Sequence, residues 1–113
     1  MTHTWHVLVE ETRTIERWLD HRQVETEHWS LAVSEPVAGP ETAADRAREL
    51  AGEYLPDWMA RPGRPGDRPR RRAYLTAGGS WLVTLAHEEG RRNYCHLRIT
   101  PAQMMLDEAE TRG

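Results

Sequence analysis

The stretch Arg72-Ala-Tyr-Leu-Thr-Ala-Gly-Gly-Ser-Trp-Leu-Val-Thr-Leu-Ala-His-Glu-Glu-Gly-Arg-Arg-Asn-Tyr-Cys-His-Leu-Arg-Ile99 decides the fold. It carries three strand signals, Arg72–Thr76, Ser80–Glu88 and Asn93–Ile99. Ala77-Gly78-Gly79 separates the first two, and a turn around Gly90 separates the second two. Trp81, Val83, Leu85 and His87 alternate onto one face of the middle strand. Cys95, Leu97 and Ile99 alternate onto one face of the last, opposite Tyr94, His96 and Arg98. A one-residue slip would set Leu85 beside His96 and Arg98, so burial selects the register in which paired numbers sum to an even value. Leu85 and Leu97 must then share a face, and the loop around Gly90 must have odd length.

Upstream, residues 4–10 alternate, with Trp5, Val7 and Val9 on one face and His6 and Leu8 on the other, which predicts a strand. Residues 13–24 are ambiguous: Ile15, Trp18 and Leu19 fit a short helix, but no good cap precedes them and Arg13 and Arg17 repel at i,i+4, so the choice between helix and strand stays open, with a short helix as the expectation. Residues 28–34 alternate again and place Trp29, Leu31 and Val33 together. The clearest helix spans 42–55, with Ala44, Ala47, Leu50, Ala51, Tyr54 and Leu55 as its apolar stripe and Thr42 as its N-cap. Asp45, Arg48 and Glu49 fall on its solvent side, and Pro56 ends it. Thr100-Pro101-Ala102-Gln103 combines an N-cap, a proline at N1 and a capping-box Gln, so a short C-terminal helix is expected to about Glu110.

The expected fold is α+β: an antiparallel sheet of about five strands, the 42–55 helix on one face and the short C-terminal helix. The element order helix, three antiparallel strands, helix over 42–110 resembles that of double-stranded RNA-binding domains. That family needs basic residues at the start of its last helix. Here the segment reads Thr-Pro-Ala-Gln-Met-Met-Leu-Asp-Glu, so membership is not expected.

Composition narrows the function classes. A chain of 113 residues is expected to fold as a single domain, 1–113. No run of 18 apolar residues occurs, the start lacks a secretory pattern, and Cys95 is the only cysteine, so a cytoplasmic protein without membrane contact is expected. All 15 basic residues are arginine, and five tryptophans occur with no phenylalanine; both fit coding bias across the chain rather than one site. Charge is divided unevenly. Residues 1–60 hold 5 Arg against 12 Asp and Glu, while residues 61–113 hold 10 Arg against 6.

Much of that positive charge sits in Arg61-Pro-Gly-Arg-Pro-Gly-Asp-Arg-Pro-Arg-Arg-Arg72, an Arg/Pro/Gly segment expected to form a mobile loop. It reads either as a solvated connection between elements or as a phosphate-contacting arm. Arg70, Arg71 and Arg72, anchored by the strand that follows, are its best candidates for contact, with Arg91, Arg92 and Arg98 as neighbours. Trp58 lies just ahead of the segment, in the residue pairing that marks binding hot spots; the alternative is a lid over the helix end. Met104-Met105-Leu106 offers a further short docking or dimer contact.

Catalytic chemistry finds no footing. The histidines at 3, 6, 21, 28, 87 and 96 have no metal-ligand spacing, and His87 and His96 should lie on opposite faces. Cys95 and His96 are strand neighbours that point apart, so they cannot form a dyad. No nucleotide-binding or nucleophile-elbow motif occurs. The expectation is a small non-enzymatic binding protein, without cofactor or metal, acting on a protein partner as an accessory, regulatory or inhibitor-type module. Nucleic-acid binding through the Arg61–Arg72 loop and its neighbours is the alternative, and a homodimer is compatible with either.

Overall fold

The structure is a computed structural model that describes residues 4–59, 69–87 and 94–108, the side chains of 14–16 apart. Five antiparallel strands form one sheet: β1 (Trp5–Leu19), β2 (Arg22–Val37), β3 (Arg70–Leu75), β4 (Trp81–Ala86) and β5 (Tyr94–Gln103), in the order β2-β1-β5-β4-β3. One α-helix, α1 (Pro40–Glu53), packs on one face, and a 3-10 turn at Asp57–Met59 follows it. The expected α+β class holds, and no helix is long and apolar enough to cross a membrane among the described residues.

The even register is observed. Trp81 pairs with Ile99, Val83 with Leu97 and Leu85 with Cys95. Residues 87 to 93, an odd number, join the last paired positions, while the turn around Gly90 itself lies outside the described residues. The β3–β4 turn falls at Ala77-Gly78-Gly79, with Gly79 at φ 89°, a conformation that favours glycine. The Thr76 and Ser80 hydroxyls, 2.8 Å apart, close it.

The core lies between α1 and the face formed by Val7, Val9, Val83, Leu85, Cys95, Leu97 and Ile99, all buried. Trp5 and Trp81 pack against it, as the alternation required. The helix starts at Pro40, not Thr42. Gly39 is the N-cap residue and accepts the first helical hydrogen bond, from Ala43. Ala43, Ala47 and Ala51, at i, i+4, i+8, form its buried stripe. Ala44, assigned to that stripe by sequence, is exposed. Small side chains along the buried stripe let the helix sit close on the bulky sheet face, and Leu50 packs at its edge.

Three expectations are overturned. Residues 13–24 are not helical; they form the far half of a β1–β2 ribbon whose turn is Asp20-His21, at φ 48° and 64°. Two consecutive left-handed residues make the turn whose twist matches a hairpin, and Asp and His tolerate that region better than most residues. No glycine marks the turn, so the sequence hides it.

The second correction concerns the 28–34 strand. Val9 pairs with Val33 but Glu10 pairs with Leu31, leaving Ala32 as the extra residue of a β-bulge. The bulge resets the alternation. Val33 stays with the core, whereas Trp29 and Leu31 turn to the opposite face and are exposed.

Third, no helix starts at Thr100. β5 continues through Pro101 to Gln103, paired with β1, and residues 104–108 are not helical. Pro101 lies past the end of β4, where β5 has a neighbour on one side only, so its missing N–H need not break a ladder. With that helix goes the resemblance in element order to the RNA-binding domains.

Candidate functional site: the open sheet face and the ribbon

Register assigns every strand residue to one of two faces. The face under α1 continues along β3 through Arg71 and Ala73, which pair with Leu85 and Val83. The opposite face carries Leu8 and Glu10 of β1, Trp29 and Leu31 of β2, Tyr94, His96 and Arg98 of β5, Leu82 and Thr84 of β4, and Arg70, Arg72 and Tyr74 of β3. Among the described residues nothing packs over it, and Trp29, Leu31, Tyr74, Leu82 and Tyr94 are all exposed.

The sequence candidates are thereby divided. Arg70 and Arg72 stand exposed on the open face. Arg71 points the other way and donates from Nη1 to Ala51 O (3.0 Å) and from Nη2 to Tyr54 O (2.6 Å). It supplies a cation to the end of α1, whose own last turn has no basic residue. Desolvation there lowers the Arg71 pKa, against the opposing charge of Glu53. Arg71 is therefore a helix clamp, and the alternation that separates it from Arg70 and Arg72 was the signal for this.

Arg98 lies on the open face with both neighbours identified. Its Nε and Nη2 donate to the two Glu10 carboxylate oxygens at 3.0 and 3.3 Å. Its guanidinium carbon stands 4.7 Å from the Trp29 ring centroid. Tyr94 meets His96 edge to face, with ring centroids 5.6 Å apart. Arg91, Arg92 and the 61–68 part of the Arg/Pro/Gly segment lie outside the described residues.

The ribbon leaves the sheet at Thr12. Pairing of β1 with β5 ends at Glu11 and Leu97. At the next position Thr12 Oγ1 accepts from His96 N (2.9 Å) and approaches His96 O, so a side chain takes the place of the backbone ladder. Beyond it β1 has only β2 as a neighbour. Thr12 to Leu19, at about 3.3 Å per residue, projects roughly 25 Å. Trp18, 73% exposed, shares its face with Gln23, Glu25, Glu27 and Trp29, the continuation of the open face. The other face carries Arg13, Arg17, Leu19, Arg22, Val24 and His28. One side of the ribbon is acidic and aromatic, the other basic and aliphatic.

Trp58 belongs to neither patch. It is 44% exposed and lines a cleft of about 520 Å³ on the helix side, at the root of the ribbon, with Glu11, Arg13, Tyr54, Leu55 and Asp57. Glu11 is buried, and its carboxylate accepts from Tyr54 Oη (3.4 Å) and Arg13 Nε (3.4 Å). Burial, with the charge of Glu11 adding to it, pushes the Tyr54 phenol up to about 12. Sequence reading missed Glu11 and Tyr54 as partners. A carboxylate in phase with Val7 and Val9 was the available signal. Trp58 lines this cleft together with Tyr54 and Leu55 from the end of α1, with part of its surface accessible.

His87 is buried on the core face, with Nε2 3.2 Å from Met59 O, and His96 faces the other way. Burial raises the Cys95 thiol pKa, away from thiolate character. Among the described residues no group of three or more His, Cys, Asp or Glu is placed to hold a metal ion. Comparison with protein-family models, with curated proteins and with solved structures finds no match.

Proposed function

We propose that this chain is a small non-enzymatic binding domain that recognises a protein partner through the open face of its sheet. One observation carries the reading: α1 covers one face, while the other leaves Trp29, Leu31, Tyr74, Leu82 and Tyr94 exposed together. Two exposed apolar groups, Trp29 with Leu31 and Tyr74 with Leu82, stand on either side of the central Glu10–Arg98 pair with Arg70 and Arg72 beside them, so the face has the composition of an interface, aromatic and arginine-rich at once. Arg70 and Arg72 contribute to it. Arg71 serves the helix, and Trp58 lies on a second surface.

The test is capture of partners from the native host with the intact chain and with Leu82→Asp, followed by binding of the purified partner to each. Leu82 is 43% exposed on the open face, so the change should leave the fold intact by circular dichroism. Loss of the partner with retained fold is expected. Retention by Leu82→Asp together with loss by Trp58→Ala would move the interface to the cleft and sink the reading.

Nucleic acid is the second reading, favoured by the shared face of Arg70, Arg72 and Arg98 with Trp29, Tyr74 and Tyr94, a pattern suited to stacking and phosphate contact. Replacing Arg70 and Arg72 by alanine would then reduce the slope of log affinity against log salt by about one for each phosphate no longer neutralised. The net charge of −3 weighs against it.

A further inference from the structure

Resting on the open face as a protein-binding surface, we infer that one protein it binds is a second copy of this chain: each ribbon lies across the open face of the other copy in a reciprocal two-fold dimer. The ribbon itself asks for a cover. Two-stranded ribbons are marginal alone, and this one presents Trp18 and Leu19 at its end, both exposed.

Charge selects which surfaces meet. Ribbon stacked on ribbon through the same face is disfavoured twice over. One such contact sets Glu25 and Glu27 against their own copies, and the other does so with Arg13, Arg17 and Arg22. The acidic, aromatic side of the ribbon instead complements the body of the open face, where Arg70 and Arg72 flank Tyr74 and Leu82. Both patches belong to one continuous face, so a two-fold axis near Thr12 makes the two ribbon-to-body contacts equivalent and closes the assembly.

The dimensions agree. From β1 to β3 is three strand spacings of about 4.8 Å, roughly 14 Å, and the ribbon projects about 25 Å. Stacked sheets cross obliquely or near right angles, which carries a ribbon from the β1 side toward β3. Trp18 then covers Tyr74 and Leu82, and Glu27 approaches Arg72.

Sedimentation equilibrium of the full chain across the micromolar range tests this. The intact protein should be dimeric at the upper end. Glu27→Arg and Arg72→Glu should each weaken the dimer at least about tenfold, by setting like charges together. An equimolar mixture of the two variants should restore it. In that mixture one contact pairs the new Arg with the new Glu, and the other is unaltered. A single misfolded variant could not produce the restoration. A chain that stays monomeric at every concentration, reversals without effect on the dimer, or a mixture that stays monomeric would each overturn the inference. If the chain is monomeric yet Leu82→Asp still loses its host partner, the protein-binding reading stands and only the self-association falls.

Discussion

The two halves of β1 obey different physics along one continuous strand. From Trp5 to Glu11 it lies between β2 and β5, with α1 above Val7 and Val9. From Arg13 to Leu19 its only strand neighbour is β2, and Arg13, Arg17, Trp18 and Leu19 are exposed. The near half is specified by burial, which tolerates one register and one set of side chains. The far half is specified by its turn and by pairing alone. What changes at Thr12 is the number of neighbours, so stability and adaptability are separated within 15 residues.

The largest effect should come from the covered half. Leu97→Ala, at a fully buried position opposite Glu11, should cost about 2–5 kcal/mol in urea unfolding, through reduced burial and a residual cavity. Trp18→Ala on the ribbon should cost less than about 0.5 kcal/mol in dilute monomer, as for other exposed positions. Equal costs would break the contrast.

Next in size is the clamp. Arg71→Ala should lose about 1–3 kcal/mol, because two helix-end carbonyls are deprived of a charged donor. Arg71→Lys should recover only part, since an ammonium cannot fork between the Ala51 and Tyr54 carbonyls. Arg70→Ala and Arg72→Ala, one residue away on either side, should leave stability unchanged within about 0.5 kcal/mol. Hydrogen exchange sharpens the comparison at single-residue resolution: amides of 5–11 should exchange at rates near global unfolding, and those of 13–28 through local opening.

The smallest effect is a pH dependence at the root of the ribbon. The folded Tyr54 phenol titrates at about 12, above the ordinary value of 10.0. The neutral phenol is thus favoured by folding, and its contribution is fully present below pH 10. It disappears as pH rises from about 10 through about 12. Tyr54→Phe should flatten stability in that window, and a profile of unchanged slope would show that the burial of the phenol beside Glu11 is not felt.

The same division explains what could be read from the sequence. β4 and β5 were legible down to register, because one wrong step would bury Arg98 and His96 in place of Leu97 and Cys95. The helix was legible in kind but shifted by two residues at its start, since Pro40 after Gly39 competes with the Thr42 capping pattern and wins. The ribbon was not legible, because its turn carries Asp20 and His21 instead of glycine and no burial fixes its phase. The C-terminal helix failed for a tertiary reason: β1 offers residues 100–103 a strand partner that local capping signals cannot report.

Of the candidate site, Arg70, Arg72 and Arg98 could be named, but not the surface they share. That surface depends on the bulge at Ala32, which brings Trp29 to the side of Arg98. A single unpaired residue leaves no mark in composition or alternation.

The strand order has a consequence for how the chain is made. β1 and β5 are neighbours at the centre of the sheet, yet Trp5 pairs with Gln103. A ribosome must deliver nearly all of β5 before the central seam can close. Until then the β1–β2 and β3–β4 hairpins can form only as separate pieces, each showing an unpaired apolar edge. Docking of β5 closes that seam, and it is then that Val7, Val9, Leu97 and Ile99 gain their full cover.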